Sequence, residues 1–534
     1  MMNYPLTTKS ILERAKMLFA SQEIVCKDYS GTFRYNYSQF YERVCRLANV
    51  LEKLGVQRGE RVGTLAWNTH RHLELYFAIP CSGSVLHTLN LRLPPDQLIY
   101  IINHAEDSVI FVDQDLWPLL ESVKDKLDTV KHFVVMSDSM EIPQTSLSQV
   151  YSYEQLLQEA SPQYQFPQDI DEWSTAAMCY TTATTGDPKG VAYTHRAIFL
   201  HSLACMTVDM MGLGNRDTVM AVVPMFHANA WGMPFASTWT GCKQVYPGSR
   251  PDPRILCQLI QDERITITAG VPTIWMGILQ VMEKEKYDFS SVKSFICGGS
   301  AVPLALMKAY DEKLGIPIIH AYGMTETTPL VTLSRTKGSM DQWPAEQQYE
   351  VRIKQGTVAP GLEIKIIGEN GEDLPNDGKT MGELLIRGPW IAGEYYNNPA
   401  KTAECMRGGW LYTNDIATID EEGYVTICDR TKDLIKSGGE WISSVDMENN
   451  IMAHPGVAEA AVIAMPHVKW DERPMACVVP KPEYKETLRQ EDIISFLEGK
   501  MSKWMLPDKV IFIEEIPKTS VGKFNKKELR KIYL

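Results

Sequence analysis

Four threonines, two glycines, one proline and one lysine are packed into the stretch Tyr180-Thr181-Thr182-Ala183-Thr184-Thr185-Gly186-Asp187-Pro188-Lys189-Gly190, directly after the apolar Ala176-Ala177-Met178-Cys179. This predicts a strand running into a hydroxyl-rich turn. Such a turn offers closely spaced backbone N–H groups, hydroxyls and an ammonium, donors that suit a polyphosphate. It is not the triphosphatase loop GxxxxGK[ST], because Lys189 is followed by Gly190-Val191. On composition alone, a plain Thr/Gly surface loop fits equally well.

Further stretches carry chemistry. Pro224-Met225-Phe226-His227-Ala228-Asn229-Ala230-Trp231-Gly232 follows a predicted strand, Thr218 to Val223, and an open α/β sheet presents ligand groups beyond the carboxyl ends of its strands. Phe226 and Trp231 also suit a core, where aromatics dominate. The turn Gly298-Gly299-Ser300-Ala301 follows the apolar Ser294 to Cys297, and Ala321-Tyr322-Gly323-Met324-Thr325-Glu326 follows Pro317 to His320. Their glycines permit a flat ligand to approach closely. Tyr322 offers a face to a purine, Thr325 a hydroxyl to phosphate, and Glu326 a carboxylate to a hard cation. Magnesium typically takes one or two carboxylates plus phosphate oxygens.

Trp410-Leu411-Tyr412-Thr413-Asn414-Asp415 brings a further carboxylate. The charged Asp429-Arg430-Thr431-Lys432-Asp433 precedes Lys436-Ser437-Gly438-Gly439-Glu440-Trp441, the composition of a hinge that absorbs a backbone rotation or of an ordinary hairpin. Near the end, Gly522-Lys523 puts one ammonium on a loop, where it can meet charge developing on a phosphoryl group. Lys526 to Lys531 reads as a solvated helix face. His70 and His72 have the look of a metal pair, but no further ligand is near in sequence. They read as core or solvated histidines, since metal sites need three or four ligands.

The elements that position these groups alternate. Leu47, Val50, Leu51 and Leu54 mark a helix face, Arg61 to Ala66 a buried strand and Leu73 to Ile79 another helix, with further strands at Val109 to Asp113 and His132 to Met136. That alternation predicts an α/β fold with mostly parallel sheets covered on both faces. Between about 335 and 380 the punctuation becomes β-rich, with glycine-bounded strands at Gly361 to Gly368 and Gly382 to Gly388. The last unit alternates again, with Val457 to Met465, Met475 to Pro480, a helix at Ile493 to Met501 and Val510 to Ile516.

A chain of 534 residues exceeds one core. Its net charge of −13 and lack of a basic stripe argue against nucleic acid as a partner. The 11 cysteines form no CxxC pair, which argues against a zinc site or a disulfide framework and for a reducing, cytoplasmic setting. No secretory layout and no run of about 18 apolar residues appears, so no membrane span is expected.

Taken in order from Tyr180 to Lys523, these stretches resemble the motifs of the adenylate-forming superfamily of acyl-CoA synthetases, luciferases and adenylation domains, over nearly the whole chain. The look is that of medium- and long-chain fatty acyl-CoA synthetases and methylmercaptopropionate-CoA ligase-like enzymes. The usual phosphate loop there is Tyr-Thr-Ser-Gly-Thr-Thr-Gly-x-Pro-Lys-Gly, so Thr182 stands for Ser and Ala183 for Gly. If that position needs positive φ, alanine costs roughly 1–2 kcal/mol.

The resemblance implies a large N-terminal domain, residues 1–431, of mixed, mostly parallel sheets with a β-rich subdomain at about 335–431. A small mobile α+β C-terminal domain, 432–534, would then swing between an adenylating and a thioester-forming orientation. It implies nucleotide contacts at Thr181, Thr182, Ala183, Thr184, Thr185, Gly186, Pro188, Lys189, Gly299, Ser300, Ala301, Ala321, Tyr322, Gly323, Thr325, Asp415, Arg430, Lys432 and Lys436. Asp415 would hold the ribose hydroxyls, with Asn414 where the family has glycine. Asn tolerates the left-handed region best after glycine. Mg2+ would sit at Glu326 and Thr181. His227, Ala228 and Trp231 would border the acyl tunnel with Trp231 as its gate, and Gly438, Gly439 and Trp441 would face acyl or coenzyme A.

The catalytic set is Lys523, Glu326 and His227. The implied activity is an ATP-dependent acyl-CoA ligase. It would activate a fatty or fatty-like carboxylic acid to acyl-AMP plus pyrophosphate and transfer the acyl group to coenzyme A, and relatives suggest a homodimer. Two alternatives stand: an adenylating enzyme with another acceptor, although the chain carries no carrier domain, and a nucleotide-binding protein whose catalysis Ala183 weakens.

Overall fold

A computed structural model describes residues 1–181, 187–249, 251–438, 440–519 and 524–534. Two large sheets form the body. One has seven strands, and Arg61–Leu65, Val85–Thr88, Asp107–Asp113, His132–Met136 and Thr175–Tyr180 run parallel in it. Its last pair is antiparallel, with Tyr180 opposite Gly190, so the threonine-rich stretch joins two adjacent strands. The second has nine strands, parallel through its centre from Glu23–Asp28 to Ile318–Gly323 and antiparallel at both edges.

Local sequence accounts for the covering helices. Tyr37–Lys53 begins in a capping box, with the Asn36 side chain accepting from Gln39 N–H and the Gln39 side chain from Asn36 N–H. It buries Phe40, Val44, Leu47, Val50 and Leu51 on one face. The Thr69 side chain accepts from His72 N–H to cap His70–Cys81. All twelve residues of that helix are buried, so it reads as an apolar run rather than an amphipathic one. Each large apolar side chain removed from water contributes about 1.5–3 kcal/mol, and the seven- and nine-stranded sheets share one such core through Val62, Phe77, Ala177 and Tyr246.

The β-rich unit starts later than its punctuation suggests. Residues 345–358 supply a polar helix, Ala345–Arg352, and Thr357–Val358, an edge strand of the nine-stranded sheet. The separate five-stranded sheet begins at Glu363–Ile367 and ends with Val425–Arg430. Beyond it, Ile435–Ser437, Glu440–Ile442, Val457–His467, Asp471–Pro480 and Lys509–Phe512 form a fourth sheet with its own core around Ile435, Met447, Val462 and Ile493. The helix expected over 493–501 runs Gln490–Leu497 instead, started by an Asp492 side chain that accepts from Arg489 N–H.

The tail corrects its expectation. Lys526–Tyr533 is a helix, but Leu529 is fully buried and Lys526 makes a 2.7 Å ion pair with Glu448. A lysine aimed at a buried carboxylate cannot be told from a solvated one by spacing. No helix among the described residues is long and apolar enough to cross a membrane.

Candidate active site

The chemistry-bearing turns meet where the strands of both large sheets end. Strands Ser294–Gly298 and Ile318–Gly323 run parallel with Gly298 opposite Ala321. A side chain at Gly298 would come within 2.6 Å of the Ala321 carbonyl and 3.1 Å of the Trp231 ring. Glycine is therefore what lets Trp231 lie against this strand end. Two cavities of about 290 and 340 Å³ open here and share Gly299, Ala321, Tyr322, Gly323, Arg430 and Lys432 in their walls.

The smaller one adds Ser300, Ala301 and Asp415. Tyr322 Oη donates to Asp415 Oδ2 at 2.5 Å, and Arg430 Nε lies 2.6 Å from Asp415 Oδ1. Burial, followed by the Asp415 charge, pushes the Tyr322 phenol well up, so it stays a neutral donor. Each Asp415 oxygen retains a lone pair, and a carboxylate fixed from both sides is suited to accept from a diol. Asn414 sits at φ 58°, in the left-handed region.

The larger cavity adds Thr181, Lys189, His227, Ala228, Trp231, Thr325 and Glu326. Lys189 N–H donates to Thr181 Oγ1 at 3.2 Å and Thr181 N–H to the Lys189 carbonyl at 2.9 Å, closing the base of the threonine-rich stretch. Pro188 beside them is buried. Glu326 is 6% exposed, and its Oε1 accepts from Tyr395 Oη at 2.6 Å. Thr325 is anchored through its carbonyl, which accepts from Tyr193 Oη at 2.7 Å.

The segment around Trp231 is unusual. Ala228, Asn229, Ala230, Trp231 and Gly232 have φ of 43°, 51°, 48°, 57° and 73°, a left-handed turn. Left-handed geometry costs an L-residue about 1–2 kcal/mol, and only Gly232 escapes that cost. Burial of all four side chains holds the turn. So do the Cys179 thiol, which donates to Asn229 Oδ1, and Asn68, which ties Ala221, Val223 and Met225. A Cβ on Gly232 would meet the His201 ring at 2.6 Å.

Residues 14–396 match the family described as AMP-binding enzyme, and residues 446–523 match the AMP-binding enzyme C-terminal domain. The chain belongs to the AMP-binding enzyme family. It is 45% identical to a long-chain-fatty-acid–CoA ligase of Thermus thermophilus, over 100% of this chain and 96% of that protein. It is 42% identical to a 3-methylmercaptopropionyl-CoA ligase of Ruegeria lacuscaerulensis, over 99% and 98%, and 38% identical to a medium-chain-fatty-acid–CoA ligase of Ectopseudomonas oleovorans, over 100% and 97%. The crystal structure of an anthranilate CoA ligase in complex with anthranoyl-AMP is similar with a TM-score of 0.89 at 26% identity, covering 99% of this chain and 98% of that one. ATP-bound MatB from Rhodopseudomonas palustris is similar with a TM-score of 0.84, also at 26% identity, with 99% of each chain covered. The fold is the two-domain adenylate-forming fold of these relatives.

Not every expected residue comes to the cavities. Lys436, Gly438 and Trp441 line neither. They lie on the hairpin of Ile435–Ser437 and Glu440–Ile442, where Lys436 Nζ stands 5.3 Å from the centre of the Trp441 ring and Gly438 N–H donates to the Trp470 carbonyl. Thr182, Ala183, Thr184, Thr185, Gly186, Gly439 and Lys523 lie outside the described residues, although Thr519 and Phe524 on either side of Lys523 line the larger cavity.

Sequence reading missed Tyr395, whose only signal is its place in Gly393-Glu394-Tyr395-Tyr396-Asn397-Asn398-Pro399. It also missed the ties between the two units. Ser443 Oγ donates to the Cys428 carbonyl, and Ser444 N–H and Oγ both donate to Asp429 Oδ2.

Proposed function

We propose that this chain is an ATP-dependent acyl-CoA ligase acting on a fatty or fatty-like carboxylic acid. One observation carries the reading: the Tyr322–Asp415–Arg430 chain, Glu326 and the His227–Trp231 turn line two adjoining cavities that share Gly299, Ala321, Tyr322, Gly323, Arg430 and Lys432. A nucleoside fits the Tyr322 and Asp415 end, with Arg430 fixing the carboxylate that accepts the ribose hydroxyls. An apolar acid fits against Trp231, Val223, Pro224 and Leu330. The carboxylate between them attacks the α-phosphate of ATP in line, giving acyl-AMP and pyrophosphate. The relatives named for fatty-acid and 3-methylmercaptopropionyl ligation support that class of acid.

Glu326 and Thr181 suit Mg2+, since Tyr395 occupies only one carboxylate oxygen and the donors are all hard oxygens. Bound there, Mg2+ would neutralise phosphate charge. Lys189 and Lys523 serve the same phosphates as ammonium donors. In the second half the domain after residue 431 rotates about Lys432, and Gly438, Gly439 and Trp441 come to the thiol of coenzyme A, with Lys436 moving alongside them. That movement accounts for the distance of this hairpin from the cavities. Cytoplasmic residence agrees with 11 cysteines that are all free and buried, and a homodimer follows only from kinship.

The test is a panel of acids with enzyme, ATP and Mg2+. Acid-dependent pyrophosphate release, followed by thioester on adding coenzyme A, is the expected result. Release without thioester would point to another acceptor, and no release would end the reading. Reverting Ala183→Gly in the same assay separates the weakened-catalysis alternative, which requires turnover to rise.

A further inference from the structure

Three donors converge at strand Glu23–Asp28, away from the nucleotide cavity, whose walls include none of them. Cys26 and Asp28 stand two residues apart on strand Glu23–Asp28 and so share a face. His70 opens the helix His70–Cys81 that lies against that strand. Their ligand atoms all lie within 4.8 Å of one another. Four strands separate Glu23–Asp28 from the strand bearing Tyr322.

Each donor is buried. Cys26 and His70 are 0% exposed, and the Asp28 side chain is 4% exposed. Neither ring nitrogen of His70 makes a hydrogen bond, though Nδ1 lies 3.4 Å from Asp28 Oδ2. An imidazole buried without a hydrogen bond forfeits its hydration, so such nitrogens are rare unless something else binds them. The ring is also held in place, with Phe33 stacked on it at 4.0 Å between centroids.

The charges around the cluster call for a cation. Arg71 pairs with Asp28, Asp138 and Glu154, and Arg43 pairs with Glu74 and Glu154. Two guanidinium groups thus face four carboxylates. Arg71 takes one lone pair of Asp28 Oδ2 and Tyr29 N–H one of Oδ1. A carboxylate offers about four such sites, so Asp28 has donor capacity left.

We propose that Cys26, Asp28 and His70 form a structural site for a divalent zinc-like cation, clamping the start of helix His70–Cys81 to strand Glu23–Asp28. One thiolate, one imidazole and one carboxylate are the ligand types zinc takes, with water as the fourth in a tetrahedral set. Donors around zinc stand about 3.5 Å apart, so closing the cluster asks for shifts of about an ångström. Binding replaces the thiol proton: Cys26–SH and Zn2+ give the thiolate complex and one H+ released to solvent. The site does not touch the nucleotide cavity, so the metal supports the fold and takes no part in adenylation.

The test uses the full-length chain, stripped with chelator and titrated with Co2+ as a spectroscopic stand-in for Zn2+. One equivalent per chain should bind with a thiolate-to-cobalt charge-transfer band. Co2+ binding should release about one proton per chain, and Zn2+ should then displace it with no further release and raise the midpoint of thermal unfolding. Cys26→Ala should abolish the band, and His70→Gln should weaken binding at least tenfold. Cys26→Ala should leave acid-dependent pyrophosphate release unchanged. A wild-type titration with no thiolate band overturns the site without relying on any variant, and so does a band that survives Cys26→Ala.

Discussion

The proposed Mg2+ role of Glu326 needs a correctly aimed carboxylate, and Tyr395 Oη at 2.6 Å is what aims it. Hydrogen bonds to charged groups contribute about 1.5–3 kcal/mol. Tyr395→Phe is therefore expected to lower acid-dependent pyrophosphate release roughly 10- to 100-fold and to raise the Mg2+ concentration for half-maximal rate, with the thermal midpoint nearly unchanged. Titrating Mg2+ against rate checks this; an unchanged Mg2+ requirement would show that Tyr395 only fills space. The turn at Trp231 makes the opposite demand. Ala230 at φ 48° sits in geometry that favours glycine, so Ala230→Gly should raise stability in chemical denaturation, by up to about 1 kcal/mol after glycine's entropic cost. The acyl chain-length profile should broaden as Trp231 loses its fixed backing, and a panel of acids measures that.

Among elements, the junction between strand Val425–Arg430 and helix Ser444–Met452 decides how the C-terminal unit sits. Asp429 receives both donors of Ser444, while Lys526 from the final helix pairs with Glu448 on the same helix. These contacts go with the orientation in which Phe524 lines the larger cavity. Removing one buried acceptor costs about 1–3 kcal/mol. Asp429→Ala should accordingly speed proteolysis at residues 431–434 about tenfold and slow acyl-AMP formation. The rate of thioester formation from supplied acyl-AMP should not fall. Equal loss in both halves would mean that the junction is needed throughout the cycle.

Over the whole molecule, four histidines besides His70 among the described residues are held neutral by burial. Burial pulls His72, His195 and His320 down to about 4 and His201 to about 3. Their roles differ: His72 bonds Thr64 and the Trp67 carbonyl, His201 Nε2 accepts from Leu330 N–H, and His320 Nδ1 donates to the Ile353 carbonyl. A folded pKa below the unfolded value means that unfolding takes up protons, so stability is full above about pH 6.5 and falls as pH drops toward 4. With four such groups the slope approaches about 5 kcal/mol per pH unit near pH 5. Unfolding in denaturant at pH 5 should take up about four protons from these groups, beyond what the carboxylates exchange. Potentiometry at pH 5 and pH 8 measures the difference, and equal uptake at both would contradict neutral burial.

By itself the sequence determined the alternation of strand and helix and the family. These depend on local patterns: alternating apolar runs, glycine where backbones meet, and donor types set close together in the chain. Where a group's meaning rests on a distant partner, local pattern was silent or misleading. Lys526 looked solvated until Glu448 stood beside it, Tyr395 carried no sign of Glu326, and four successive left-handed residues at Ala228–Trp231 have no compositional mark except the glycine that follows. His70 and Cys26 lie 44 residues apart, and neither shows metal-ligand spacing. Only the pairing of strand Glu23–Asp28 with its neighbours, and the docking of helix His70–Cys81 against it, put thiol, carboxylate and imidazole in one place. Spacing reports neighbours within a strand or a helix turn, whereas contacts between elements are fixed by burial of the whole core.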